Sequence, residues 1–575
     1  MPKAGKTFRN QFPELDPLVA QILYNRGIVT QEKIDEFLSP DYGKYVHDPF
    51  LLSGMDKAVE RIMKAIIGKE NIMVYGDYDA DGVCATVVLV SILRELGIKP
   101  HVHIPFRESE GYGLNIKVVD EVSEKHITLI ITVDCGIANV REIEALQKIG
   151  ADVVVTDHHN PQDVLPAAYA LINPKLDEKY PTKEICGTGV AYKLAQAMLS
   201  EKIREKYKDE LKFPSIGFEK WLLDLVAIGT VADMVEVIGE SRTLVKYGMI
   251  VLKKTRRLGL LALMKASKID IHKLNTFSIG FQIGPRLNAA GRMGHAITSY
   301  ELLITNDNVE AQNLALDLNE KNQKRQKMSN VMYLGAMKQT AGHESDPVVF
   351  AKDDAWSPPL VGLVAGKVCE DLYRPCVVIG KNNEGKIVGS GRSIDGFDIT
   401  WALGECKEFL SRYGGHAKAC GFTLKEDGMY ENFKKKMFSL ANKSLHGKNL
   451  TPEFIIDTKA ELVDINWEFM ETMEKLEPYG QGNSEPKFLV QNCKLVSLNT
   501  VGASSSHLKG SVSDGDKTQR QIIGFSMIEW CKKLKVGDML DIVCIPLINQ
   551  WNGNREIQLK IVDLRLSDSE LRITD

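Results

Sequence analysis

The stretch Ile72-Met73-Val74-Tyr75-Gly76-Asp77-Tyr78-Asp79-Ala80-Asp81-Gly82-Val83-Cys84 opens on an apolar run and passes through three aspartates at alternate positions. It then enters a helix-period segment from Cys84 to Leu96. A short apolar run followed by such a segment predicts a strand feeding a helix. Carboxylates this close repel one another and cost stability unless protons or a cation neutralise them, and oxygen ligands of this kind suit Mg2+ or Mn2+. Two plainer readings compete, an exposed Asx-rich turn and a calcium loop. The string starts like an EF-hand loop, yet no bidentate glutamate follows where such a loop needs one, and an apolar helix does.

The arrangement recurs downstream. Leu129 to Val133 ends in Asp134 and is followed by helical Arg141 to Lys148, and Val153 to Thr156 ends in Asp157-His158-His159. Strands alternating with helices predict a largely parallel sheet covered on both faces. The carboxyl ends of its strands are where open α/β sheets bind ligands. Taken singly, Asp134 reads as a helix cap and either histidine as a satisfied polar residue. Their coincidence at three strand ends favours a site. Asp233, after the helical run Trp221 to Gly229, reads by itself as a cap or a surface residue.

Outward from this core, Leu15 to Leu38 carries two short amphipathic patterns, with Thr30 as N-cap and Pro40 as terminator. Val309 to Leu334 contains neither glycine nor proline, and Asp307 or Asn308 offers an N-cap. That predicts a helix of roughly 26 residues, about 39 Å long. A second α/β region follows, with strands Val348 to Ala351, Cys376 to Gly380 and Ile387 to Ser390 and with glycine-rich turns at Gly389-Ser390-Gly391 and Gly414-Gly415. Past Leu450 come β-rich runs, Phe488 to Val490, Gln521 to Phe525, Met539 to Ile545 and Glu556 to Val562, which predict a small barrel. No internal repeat or low-complexity segment interrupts the pattern.

The 575 residues exceed what one core serves, so about three domains are expected. With 72 basic and 76 acidic residues the net charge is −4, which argues against a broadly cationic nucleic-acid coat and leaves room for a local basic groove. The 10 cysteines lack CxxC or zinc spacing, as reduced cytosolic thiols do. Met1 to Leu15 has no apolar signal region, and no stretch approaches the roughly 20 apolar residues of a membrane span. A cytoplasmic protein is expected.

Asp77-Tyr78-Asp79-Ala80-Asp81-Gly82, Val133-Asp134-Cys135-Gly136, Thr156-Asp157-His158-His159 and Ala232-Asp233-Met234 resemble, in this order, the four motifs of the DHH phosphoesterases. Within them the chain is most similar to the RecJ family of single-strand-specific 5′→3′ exonucleases, over nearly its whole length. The resemblance implies an α/β fold with a parallel-sheet DHH domain, a long linking helix, an α/β DHH-associated (DHHA1) domain and a C-terminal OB-like β-barrel. Its expected boundaries are an N-terminal helical arm (1–45), the DHH domain (46–260), a linking helical region (261–345), the DHHA1 domain (346–450) and the OB-fold domain (451–575).

The same resemblance implies two divalent cations, Mn2+ or Mg2+, with Asp79, Asp81, Asp134, His158 and Asp233 as ligands and Asp77 and His159 as catalytic groups close by. Two ions about 4 Å apart lower the pKa of a bridging water, orient it, and stabilise the departing oxygen. The imidazole of His158 favours Mn2+ over a pure Mg2+ site. One departure stands out: Tyr75 occupies the position where other DHH enzymes often carry a histidine, four residues before Asp79.

For the substrate, the resemblance implies a 5′-phosphate contact at Arg107, whose plainer reading is a surface arginine, and Tyr112 reads either as a stacking ring for a terminal base or as a packed loop tyrosine. The run Gly284-Pro285-Arg286-Leu287-Asn288-Ala289-Ala290-Gly291-Arg292 suits bidentate phosphate contacts. Arg286, Asn288 and Arg292 are therefore candidates. Ser390, Arg392, Gly415 and His416 look like the substrate-gripping motifs of the DHHA1 domain, with turns that let amides approach phosphates. Lys321, Lys324, Arg325 and Lys327 read as a solvated face or the floor of a DNA channel, and Phe525 and Trp551 as aromatic platforms or core.

The implied activity is stepwise removal of 5′-mononucleotides from single-stranded DNA in recombination and repair, beside a RecQ-type helicase and a single-strand-binding protein, with no membrane partner. The rivals are a DHH enzyme acting on short oligonucleotides or cyclic dinucleotides, and a non-catalytic DNA-binding scaffold. The segment past Leu450 disfavours the first rival and the intact acidic motifs disfavour the second.

Overall fold

β-Branched and apolar runs too short for helices become the strands of a parallel sheet: β1 (Ile72–Tyr75), β2 (His101–His103), β3 (Leu129–Val133), β4 (Asp152–Thr156) and β5 (Ala170–Ile172), in the order β2-β1-β3-β4-β5. Every pairing in this sheet is parallel. β1 and β3 are buried throughout, because crossover helices such as Ala80–Glu95 cover the sheet. All three carboxylate-bearing strand ends, after β1, β3 and β4, therefore emerge side by side at one edge.

The structure is a computed structural model that describes residues 6–567 apart from 503, 504, 516, 517 and 552. It divides into two compact units, 48–235 with 248–452, and 1–47 with 236–247 and 453–575. Among the described residues no helix is long and apolar enough to cross a membrane.

Within the larger unit the long helix spans Asn308–Thr340, 33 residues capped by Asp307, whose side chain accepts from the Glu310 amide. It runs past Leu334 through Gly335, where a Cβ would meet the Trp356 ring at 3.2 Å. That glycine is a packing contact and not a terminator. The helix packs on the helices Leu258–Ala266, Gly284–Met293 and Pro358–Leu372.

The second sheet is mixed, β6 (Val349–Lys352), β7 (Cys376–Lys381), β8 (Ile387–Arg392), β9 (Leu410–His416) and β10 (Ala419–Leu424), in the order β6-β7-β8-β10-β9. Only β6 and β7 pair in parallel. The two glycine-rich segments expected as turns lie inside strands, Gly389-Ser390-Gly391 in β8 and Gly414-Gly415 in β9. A Cβ on Gly389 would collide with the Phe422 ring, and one on Gly391 would meet Ile399 at 2.5 Å. Close packing across a sheet selects glycine here.

In the smaller unit β11 (Thr458–Lys459), β12 (Phe488–Val501), β13 (His507–Ser513), β14 (Gln519–Gly524), β15 (Met539–Trp551) and β16 (Asn554–Leu566) form a sheet that closes through β12 and β15 into a five-stranded barrel. The helices Pro17–Asn25, capped by Asp16, and Gln31–Leu38, capped by Thr30, are not a free arm. Phe8, Leu23 and Phe37 share one core with Phe469, Phe488 and Leu559. Buried Arg242 joins three distant stretches, donating to the carbonyls of Phe37, Pro478 and Glu477 at 3.0, 3.0 and 2.8 Å, with its guanidinium 4.0 Å from the Phe37 ring. Met1–Gly5 and the Trp551 side chain lie outside the described residues.

Candidate metal centre

Asp79 is the N-cap of the helix Ala80–Glu95, one carboxylate oxygen accepting from the amides of Asp81 and Gly82 at 2.9 and 3.0 Å. Its backbone is extended, so the loop turns sharply into the helix and brings Asp77, Asp79 and Asp81 to one side. Asp81 is buried and accepts from the Gly187 and Thr188 amides at 2.6 and 2.9 Å. These amides open the helix Gly187–Met198, whose N-terminal partial charge favours an anion. A Cβ on Gly187 would collide with the Asp134 carboxylate, so the close approach requires glycine. Asp134 itself sits past β3 with φ +62°, a left-handed conformation that turns its side chain into the site. Asp233 is the C-cap of the helix Leu223–Ala232.

Three groups of potential ligand atoms result, each with its atoms within 4.8 Å of one another: Asp77, Asp79 and Asp134; Asp81, His158 and Asp233; and Asp134, His158 and His159. Asp134 belongs to two of them, and its Oδ1 lies 3.1 Å from His158 Nε2. Asp77 Oδ1, Asp134 Oδ1 and His158 Nε2 are buried with no hydrogen-bond partner. Orphaned buried oxygens beside an orphaned imidazole nitrogen are the donor set a divalent cation satisfies, so the residues fit such ions.

The electrostatics agree. Burial, then the neighbouring carboxylates, raise the pKa of Asp77, Asp79 and Asp134 and push Asp233 up to about 9. Burial drives His158 down to about 4, which keeps its imidazole neutral and able to ligate. A bound cation reverses the carboxylate shifts by making the charged form favourable.

His159 differs from its neighbour. Burial opposes its charge, but the hydrogen bond and charge of Asp157 override this and raise its pKa. Asp157 is fully buried, accepts from the Ile137 amide at 2.9 Å, and holds His159 Nδ1 at 2.8 Å. The Tyr112 hydroxyl lies 2.8 Å from the same nitrogen and donates to the Asp134 carbonyl at 3.3 Å. Tyr112, expected as a base platform, is thus packed against the core with its hydroxyl turned inward. Tyr75 is also no ligand: it is fully buried, stacks on His103 with ring centroids 4.8 Å apart, and donates to the Gly113 carbonyl at 3.0 Å.

The cationic groups gather beside the carboxylates. Arg107 lies over the Tyr78 ring at 4.8 Å. Burial first, then the positive charges of Arg107, Arg325 and Arg392, lower the pKa of Arg292 to about 9. Arg286 donates to Asn319 Oδ1 and to the Gln282 carbonyl at 3.0 and 2.8 Å, and Arg292 donates to the Pro359 carbonyl at 2.8 Å. Arg392 donates to Ser390 Oγ at 3.0 Å, and Ser390 to the Cys420 carbonyl at 2.9 Å. Mutually repelling, partly buried guanidinium groups favour an anion among them.

Some expected contacts are used otherwise. Asn288 Oδ1 accepts from the Ala80 amide at 2.8 Å, so its oxygen braces the aspartate loop and not a substrate. Gly415 and His416 lie at the exposed end of β9, immediately before the Ala417-Lys418 turn that leads into β10. Gly415 has φ +146°, and a Cβ there would collide with the Ala419 carbonyl. Lys324 and Lys327 are exposed, whereas Arg325 leaves that face and turns toward Arg286 and Arg292. Sequence reading passes over Asp157, Gly187 and Thr188. Asp157 stands inside a quoted motif, but nothing short of the fold brings the 187–188 amides to Asp81. Phe525 is 57 % exposed, with His507 edge-on at 5.3 Å.

Residues 71–230 match the model of the DHH family N-terminal domain, 345–443 the DHHA1 domain, and 456–563 the RecJ OB domain. The single-stranded-DNA-specific exonuclease RecJ of Bacillus subtilis is 38% identical over 97% of this chain and 69% of its own length. That of Escherichia coli is 32% identical over 95% of this chain and 96% of its own. Among solved structures, RecJ from Thermus thermophilus in complex with Mn2+ superposes with a TM-score of 0.82 at 28% identity, covering 98% of this chain and 78% of that one. The same protein with Mg2+ gives 0.75 at 26% identity, covering 98% of this chain and 77% of that one.

Proposed function

We infer the reaction from one premise: this chain belongs to the RecJ family of DHH phosphoesterases, and it is a metal-dependent, single-stranded-DNA-specific exonuclease. The observation that carries this reading is the convergence of Asp77, Asp79 and Asp134 with Asp81, His158 and Asp233, three of whose donor atoms are orphaned, beside a cluster of arginines. We propose that Asp77, Asp79 and Asp134 hold one divalent cation and Asp81, His158 and Asp233 a second, with Asp134 close to both. Held by these residues, Mn2+ or Mg2+ would supply Lewis-acid activation of a water for in-line attack and neutralisation of charge on the leaving oxygen.

The protein's own groups divide the remaining work. Asp157 fixes the tautomer and direction of His159, which faces the carboxylates and can hold a proton during hydrolysis. Asn288 and the Gly187 and Thr188 amides keep the aspartate loop in place. Arg107, Arg286, Arg292, Arg325 and Arg392 grip the terminal 5′-phosphate, which sets the direction 5′→3′ and releases 5′-mononucleotides. The ten free thiols, all buried except the partly exposed Cys531, fit a reducing cytoplasm, where a single-strand-binding protein and a RecQ-type helicase are the partners that would present single strands.

The test is Mn2+-dependent release of mononucleotides from a single strand labelled at either end, comparing the native chain with Asp134→Ala. Release from the 5′ end, reduced about 10³-fold or more in the variant, is expected, since several kcal/mol of charge stabilisation depend on the site. Release from the 3′ end would overturn the direction. A folded but inactive native chain would favour the scaffold reading.

A further inference from the structure

Just before the arginine-bearing helix Gly284–Met293, the chain makes a short helix, Thr276–Ser278, and a π-helical turn, Ile279–Ile283. Ile279 and Ile283 are fully buried, and a Cβ on Gly280 would meet Val231 of the Asp233-bearing helix at 3.6 Å. On the other side Phe277 and Phe281 are 59% and 68% exposed, and their rings stack with centroids 4.6 Å apart at 24°. Two large rings stacked on each other in solvent do no core packing. A π-helical turn is uncommon and recurs at functional sites.

Direction makes the pair informative. Successive positions four or so apart in a helix share a face, so Phe277, Phe281, Pro285 and Arg292 follow one stripe of this continuous segment. From Phe281 to Arg292 is 11 residues, about 16 Å of helix at 1.5 Å per residue. One end of the stripe therefore lies at the arginine cluster beside the carboxylates, and the other carries two flat apolar faces.

We propose that Phe277 and Phe281 form a base-stacking platform for single-stranded DNA, engaging bases a few nucleotides on the 3′ side of the scissile bond. This rests on the exonuclease reading above. Aromatic faces accept any base, whereas a paired base in a duplex has its faces covered by its neighbours. The platform therefore holds the strand without reading its sequence, and it favours unpaired over paired DNA.

The closing experiment measures binding and turnover separately. Affinities of a 3′-labelled 12-mer and a trinucleotide are compared, without added metal, for the native chain, Phe277→Ala/Phe281→Ala and Phe277→Trp/Phe281→Trp. Both positions are exposed, so the fold should tolerate either pair. The alanine pair is expected to weaken 12-mer binding about tenfold, the scale of one lost base stack. It should weaken trinucleotide binding less than threefold, and the tryptophan pair should restore the 12-mer. Equal affinities for native and alanine chains at both lengths would overturn the platform and leave the rings as a protein-docking surface. Because binding needs no turnover, a native chain that hydrolyses nothing would sink the exonuclease reading while the affinities still judge the platform.

Discussion

Two regions of this molecule bury aspartates, and they treat them in opposite ways. In the barrel, Asp541 accepts from the Asn492 amide at 3.1 Å, from Arg565 at 2.9 Å and from Ser567 at 3.0 Å. Burial alone would raise its pKa, but these donors bring it below the ordinary value. At the strand ends of the parallel sheet, burial and mutual repulsion win, and Asp134 rises well above its ordinary value with an oxygen left unpartnered. A buried carboxylate with all its donors supports the fold. A buried carboxylate without them is held there by the fold at a cost, and that difference separates structure from site.

The sharpest way to break this contrast is Asp134→Asn. It should reduce Mn2+-dependent hydrolysis about 10³-fold or more while raising the melting temperature of the metal-free protein, by about 1 °C if about 1 kcal/mol of repulsion is relieved. A metal-free variant that melts below the native chain would show that the Asp134 charge is satisfied. The mirror experiment is Asp541→Ala, which strands Arg565 and two other donors and should lower stability by about 2 kcal/mol in urea unfolding. An unchanged midpoint would remove Asp541 from the structural side of the comparison.

The smallest effect is in acid. The folded-state pKa of Asp541 is lowered, so its contribution to stability is complete above the unfolded value of about 3.9 and is lost as pH falls through the folded value. Asp541→Asn, lacking that titration, should lose less stability than the native chain between about pH 4 and lower pH. Parallel acid limbs in scanning calorimetry would contradict the assignment.

What the sequence reveals divides along the same line of local against distant. β1 and β3 are read from sequence with their ends intact, because runs buried on both faces and closed by polar residues have few alternative readings. The aspartates, histidines and arginines of the site are visible as residue types at strand ends. What holds them is not: the Gly187 and Thr188 amides come from more than 100 residues away to Asp81, and Asn288 from more than 200 to Ala80. Glycine misleads for the same reason. At Gly335 and Gly389 it answers a ring packed against it, and a local reading sees only a helix stop or a turn. Tyr112 likewise reads as a base platform or a packed loop ring until the fold turns its hydroxyl to His159.

The shared core of the smaller unit sets a timetable for synthesis. Phe37 leaves the ribosome some 420 residues before Ala460, where the barrel partners of Phe8 and Phe37 begin. At roughly 5–20 residues per second that interval is about 20–85 s, during which Phe8 and Phe37 lack their barrel partners and the guanidinium of Arg242 lacks the Pro478 and Glu477 carbonyls. The nascent chain therefore carries an incompletely covered apolar segment for the whole of that interval, a natural substrate for holding chaperones, while the parallel sheet can complete itself behind it.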